Sequence, residues 1–66
     1  MKISVNGEPV DVGDAKTIDE LIQRYQLSPQ TILVEHNGAA LHRHEWPQRS
    51  LAEGDHIEFI RVVAGG

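Results

Sequence analysis

The sequence contains no cysteine. That absence excludes disulfides, cysteine-ligated metal sites and thiol chemistry on the chain, so the fold must be held by its apolar core alone. No apolar stretch approaches the roughly 20 residues that span a bilayer. The first residues lack a basic segment followed by an apolar run, so the expectation is a cytoplasmic protein without a signal peptide. Positive charge is scarce: 6 Lys and Arg stand against 10 Asp and Glu, a net charge of −4 with histidines neutral. A phosphate-backbone binder needs cations to replace counterions, so nucleic acid is not an expected partner. The acidic balance instead suits a partner with a basic docking surface, through steering of the encounter. Length is short as well. A chain of 66 residues makes one domain, which buries only about 60% of the surface its unfolded form exposes. One small core is all it can build, and a deep cleft with a full catalytic constellation is not expected. These limits favour a carrier or binding module, monomeric when free, over an enzyme.

What is present reads as alternating strands and one helix. Lys2 to Val5 alternates, with Ile3 and Val5 on one side. Asn6-Gly7 then supplies two residues that accept the positive φ of a type I′ hairpin turn, and Glu8 to Val12 alternates again. Pro9 lacks an N–H, which places it at a strand start or on an edge. Thr17-Ile18-Asp19-Glu20 has capping-box spacing, with Thr17 accepting from the Glu20 N–H and Glu20 reaching back to Thr17. Ile18, Leu21, Ile22 and Tyr25 recur at i, i+3, i+4 and i+7, one apolar helical stripe. Leu27 closes the core from the exit turn, and Ser28-Pro29 marks the stop. Thr31 to His36 reads as a third strand, Asn37-Gly38 as a second hairpin turn, and Ala40 to His42 as a short fourth strand. Arg43 to Ser50 is polar and irregular, with Leu51 a lone inward anchor. Glu53-Gly54-Asp55 turns into a final strand, His56 to Val63. Strands with one helix packed across them make an α+β two-layer domain. Several sheet orders fit that string of elements.

The sequence ends in Val63-Ala64-Gly65-Gly66. A diglycine has no Cβ atoms and costs more entropy to order than any other pair. It can thread a channel too tight for side chains and deliver a carboxylate into another protein's site. The chain thus divides into a domain over 1–63 and a tail over 64–66. In the final strand, Ile57 and Phe59 share one face and Glu58, Ile60 and Val62 the other. If the third strand pairs beside it, Leu33 joins Ile60 and Val62 in an apolar docking patch. His42, His44 and Glu45 suggest a two-histidine metal site, but structural zinc wants four ligands, often including Cys, so a solvated loop is expected and no metal. Trp46 reads as a cover over the core, with a partner contact as the other possibility. Arg43 fits local capping and partner binding equally.

The stretches ISVNGEPV, TIDELIQRYQL, VEHNGAAL, HRHEW and LAEGDHIEFIRVVAGG resemble, along the whole chain, the β-grasp, ubiquitin-like sulfur carriers of the ThiS family. Arg43 and Trp46 at their spacing, Gly54-Asp55, and Val63 to Gly66 are the most specific parts. His42 stands where that family usually has proline. The sister MoaD family, which serves molybdopterin synthesis, shares the fold and the diglycine, but tends to carry prolines where this chain has Arg61 and Val62.

The resemblance implies a β-grasp domain, a mixed sheet on one main helix, that acts as a carrier and not as an enzyme. A C-terminal carboxylate, with a pKa of about 3.3–3.7, is ionised and a poor electrophile. By resemblance, a ThiF-type adenylyltransferase activates Gly66 with ATP and Mg²⁺, neither of them held permanently by this chain. A persulfide-type sulfur donor then leaves a thiocarboxylate, and a ThiG-type thiazole synthase takes the sulfur for thiamine. Gly65 and Ala64 thread the partner's channel, while Ile60, Val62, Glu58 and Leu33 dock. A MoaD-type carrier, a ubiquitin-like protein modifier and a non-carrier β-grasp binding module are the alternatives.

Overall fold

A computed structural model describes residues 1–62. Its elements are β1 (Lys2–Val5), β2 (Glu8–Asp11), α1 (Ile18–Arg24), β3 (Ile32–His36), β4 (Ala39–Leu41) and β5 (His56–Arg61), with 3₁₀ turns at Pro29–Thr31 and Arg43–Gln48. The five strands form one sheet in the order β2-β1-β5-β3-β4. β1 and β5 run parallel and the other neighbours antiparallel. This order, left open by periodicity, makes β5 the central strand. The α+β two-layer architecture is as the pattern of elements implies, and the mixed sheet on one main helix is the β-grasp arrangement that the resemblance implies.

Local chemistry explains each element. Asn6 and Gly7 take φ 51° and 84°, the left-handed values a type I′ turn needs. β2 is an edge strand, where the missing N–H of Pro9 breaks no ladder. Thr17 caps α1, its Oγ1 accepting from the Glu20 N–H at 3.2 Å. The reciprocal half of the expected capping box is displaced by one residue. The Glu20 carboxylate accepts from the Lys16 N–H at 2.6 Å, beside the isolated Thr17–Ser50 bridge whose bonds run from the Ile18 N–H to Arg49 O and from the Leu51 N–H to Lys16 O.

α1 also ends earlier than Ser28-Pro29. Gln26 adopts φ 57°, and the Leu27 N–H donates to Ile22 O at 3.3 Å while the Gln26 N–H donates to Gln23 O at 3.0 Å. That pair of bonds is a Schellman turn, here with glutamine at the position glycine usually fills. Tyr25 keeps its place on the helical stripe, its N–H donating to Leu21 O at 3.0 Å, but as the last residue of that face it is not fully covered. It is 37% exposed and meets Phe59 edge to face at 5.5 Å. Ile18, Leu21 and Ile22 carry the helix side of the core. Leu27 packs against the core, as expected.

The segment expected to be irregular, Arg43 to Ser50, instead contains the six-residue 3₁₀ turn. It places Trp46 inside the core at 2% exposure, as a cover residue. Leu51 is the inward anchor its isolation suggested. β4 ends at Leu41, so His42 caps the 3₁₀ turn instead of extending the strand. Among the described residues, no helix is long and apolar enough to cross a membrane.

Candidate functional site

β5 is buried on one face and open on the other. Ile57 is fully buried and Phe59 packs against the core, which turns Glu58, Ile60 and Val62 outward. The β3–β5 register pairs Leu33 with Ile60, and the Val62 N–H donates to Thr31 O at 2.7 Å. Leu33, Ile60 and Val62 are 55%, 39% and 44% exposed. The expected apolar patch is therefore assembled, at the end of β5 that leads toward residue 63. Ala64, Gly65 and Gly66 lie outside the described residues.

The same register sets Glu58 directly opposite Glu35. Neither has an ion-pair partner among the described residues. Like charges facing across a strand pair destabilise the sheet, and a cation brought by a partner would relieve them. The outward face thus offers aliphatic contact beside an acidic couple. On the helix side of the same strand, Val5, Val10, Tyr25, Leu27, Phe59 and Arg61 line an open cleft.

Side-chain chemistry elsewhere is structural. The Asp55 carboxylate is buried and accepts from Asn37 Nδ2 at 3.1 Å and the Ala52 N–H at 2.8 Å. His36 Nε2 lies 2.7 Å from Asp55 Oδ2, the oxygen that also accepts from Ala52. An ionised carboxylate only accepts, so the proton of that bond resides on Nε2. Burial pushes the Asp55 pKa up, but the hydrogen bonds from His36, Asn37 and Ala52 outweigh it and hold the group below its ordinary value. Sequence reasoning missed this network. Asn37 and Asp55 were each accounted for by a turn and His36 by the third strand, and no local pattern signals two turns meeting through side chains. Asn6, likewise read only as a turn residue, reaches β5 through its side chain.

His42 and His44 stack with ring centroids 5.6 Å apart. They meet through the start of the 3₁₀ turn and do not share a strand face. Glu45 accepts from the His42 N–H at 2.8 Å, a bond that lowers its pKa. Among the described residues, no three potential metal ligands converge. Arg43 is exposed and makes no ion pair within the described residues.

The sequence model of the ThiS family matches residues 3–66. Over 66 residues the chain is 33% identical to a thiazole synthase of Magnetococcus marinus, spanning all of this chain and 20% of that protein's length. It is 31% identical to the sulfur carrier protein ThiS of Bacillus subtilis over 65 residues, which cover 97% of this chain and 98% of that one. The crystal structure of a thiamine biosynthesis protein (ThiS) from Geobacter metallireducens superposes with a TM-score of 0.84 at 30% identity, covering both chains completely. The solution structure of a thiamine biosynthesis protein from the same organism gives 0.79 at 30% identity, covering this chain and 88% of the other.

Proposed function

This chain belongs to the ThiS family, and on that premise we propose that it is a cytoplasmic sulfur carrier for the thiazole part of thiamine. The carboxylate of Gly66 is the group that reacts. In a ThiF-type adenylyltransferase, a carboxylate oxygen attacks the α-phosphorus of Mg²⁺-bound ATP and pyrophosphate leaves. The resulting acyl-adenylate is a good electrophile, which the free carboxylate is not. The outer sulfur of a persulfide donor adds at the acyl carbon and AMP departs with the bonding electron pair, leaving an acyl disulfide. A second thiol then attacks the donor's own sulfur, forms a disulfide with it and releases the thiocarboxylate. A ThiG-type thiazole synthase takes the sulfur and returns the carboxylate.

Every bond-making step in this sequence occurs in a partner's site, so the chain is a co-substrate and not an enzyme. Its own contribution is reach and recognition. Ala64 and Gly65 thread the tight channel, because a residue without a long side chain leaves room for the backbone. Leu33, Ile60 and Val62 supply apolar contact for docking, and Glu58 favours a basic rim on the partner.

The observation that carries this reading is the family match, which runs through the diglycine to residue 66. The thiamine and thiazole names of the relatives favour thiazole over molybdopterin as the destination of the sulfur. Reconstitution tests it: a ThiG-type synthase, its other substrates and the thiocarboxylated chain should yield thiazole in an amount matching the thiocarboxylate consumed. Thiazole formed equally well with the unactivated chain, or isopeptide conjugates of the chain with protein lysines, would contradict it.

A further inference from the structure

The two edges of β5 are supported unequally. Toward β3 it is bonded from one end to the other, from the Asn37 N–H on His56 O at 2.7 Å to the Val62 N–H on Thr31 O at 2.7 Å. Toward β1 the ladder holds only Ser4 with His56 and Val5 with Ile57, because the chain turns away at Asn6-Gly7. Residues 57, 59 and 61 direct their backbone groups to that side, and the Asn6 N–H donates to Ile57 O at 2.9 Å. The next donor, the Phe59 N–H, lies past the last residue of β1. A side chain takes it instead: Asn6 Oδ1 accepts the Phe59 N–H at 2.8 Å. Asn6 can do this while also forming the turn, since asparagine is among the few side-chain-bearing residues that readily adopt φ near its 51°.

We propose that Asn6 is a positioning residue for the reaction at the chain end. Its side-chain carbonyl extends the support of β1 by one hydrogen bond toward residue 63, and so presents Ile60 and Val62 to the activating enzyme in one arrangement. This inference rests on the carrier reading. A partner that grips Ile60 and Val62 binds only the population in which that stretch is aligned. Its apparent dissociation constant is the intrinsic one divided by the aligned fraction. Without the Asn6 carbonyl, residues 59–62 are held by β3 alone and the aligned fraction falls. Chemistry in the bound complex is untouched, so the effect falls on KM and not on kcat. Asn37 supplies the comparison within the same fold. It occupies the equivalent position of the second Asn-Gly turn at φ 52°, and its Oδ1 accepts the His56 N–H at 2.8 Å. That bond holds the opposite end of β5, away from the reacting group.

The test uses the full chain as Asn6→Gly, Asn6→Asp and Asn37→Gly. Glycine preserves both turns, since positive φ costs it nothing, while aspartate keeps an acceptor at position 6. Exchange of the Phe59 amide is followed by NMR, and pyrophosphate release by a ThiF-type adenylyltransferase is followed against carrier concentration. Asn6→Gly should speed Phe59 exchange by about tenfold and raise KM by about threefold or more, with kcat unchanged. Asn6→Asp should restore both. Asn37→Gly should leave KM within about twofold, although it loses the bond to Asp55 as well and is destabilised at least as much. An unchanged KM in Asn6→Gly, or an equal rise in Asn37→Gly, overturns the positioning role while the carrier reading stands. A wild-type chain that releases no pyrophosphate overturns the carrier reading, and this inference with it, whatever the exchange rates.

Discussion

Replacing Ile60 with aspartate should weaken binding to the adenylyltransferase severely while leaving the fold intact. Burying a large aliphatic side chain completely stabilises by about 1.5–3 kcal/mol. Ile60 is already partly covered by its own sheet, with 39% of its surface exposed, so a partner gains only about 0.6–1.2 kcal/mol from the remainder. Scaled in the same way, Leu33 at 55% and Val62 at 44% exposure bring the patch to about 2–4 kcal/mol in all, before the costs of association are subtracted. Losing the Ile60 share alone is a factor of about three to eight in affinity. The substitution does more than remove contact. It places a carboxylate in the apolar centre of the interface, where desolvation without a partner costs a further ~1–3 kcal/mol. It also adds a negative charge two residues from Glu58 on the same face. Binding should therefore fall by at least about tenfold. Calorimetric titration of the enzyme and circular dichroism of the same preparation read the two quantities together. Undiminished binding would remove Ile60 from the docking face. A collapsed fold would refute the outward placement of this side chain on β5.

Leu21 is fully buried at the centre of the helix face, so Leu21→Ala should cost about 2–5 kcal/mol in chemical denaturation. A domain of this size has little more than ~3–5 kcal/mol in total, so the variant should be largely unfolded. Gln26→Gly should raise stability by up to about 1 kcal/mol, because glycine relieves the left-handed strain at the helix exit but loses more freedom on folding; a lower melting temperature would refute the Schellman assignment. The hydrogen-bonded Asp55 carboxyl has a lower pKa folded than unfolded. Its contribution is therefore complete above the unfolded value near ~4 and is lost as pH falls through the folded one. Asp55→Asn should flatten that acid limb of the stability curve, and an unchanged acid limb would show that another carboxylate controls it.

Most of the fold was legible because its signals are local. Both Asn-Gly turns, the Thr17 cap, the stripe through Ile18, Leu21 and Ile22, and the outward set Ile60 and Val62 each follow from a few adjacent residues. The failures share one cause, which is that long-range contacts override local preference. Tyr25 fits the helical period, yet stays half exposed because its long-range neighbour is Phe59, met edge to face at the margin of the core. Glu20 bonds the Lys16 N–H in a segment that long-range bonds fix, the Leu51 N–H on Lys16 O and the Ile18 N–H on Arg49 O. Arg43 to Ser50 reads as irregular because Trp46, which the structure buries, has no periodic companion there. The Asp55 network and the Asn6 bond to Phe59 join residues 18 and 53 positions apart. Individual asparagines in turns give no sign that their amides also hold β5. Sheet order was equally beyond local reading, since the β1–β5 pairing joins the two ends of the chain.

The central claim is that Gly66 carries sulfur, and intact mass spectrometry tests it most directly. The full chain is incubated with ATP, Mg²⁺, a ThiF-type adenylyltransferase, a persulfide donor and a thiol reductant, beside a chain lacking Gly66 and one extended by a single residue. The full chain should gain the mass difference of sulfur replacing one oxygen, with fragmentation placing the change on Gly66, and neither altered chain should gain it. An unchanged mass under conditions where the enzyme converts an established carrier, or equal conversion of the extended chain, would contradict the claim.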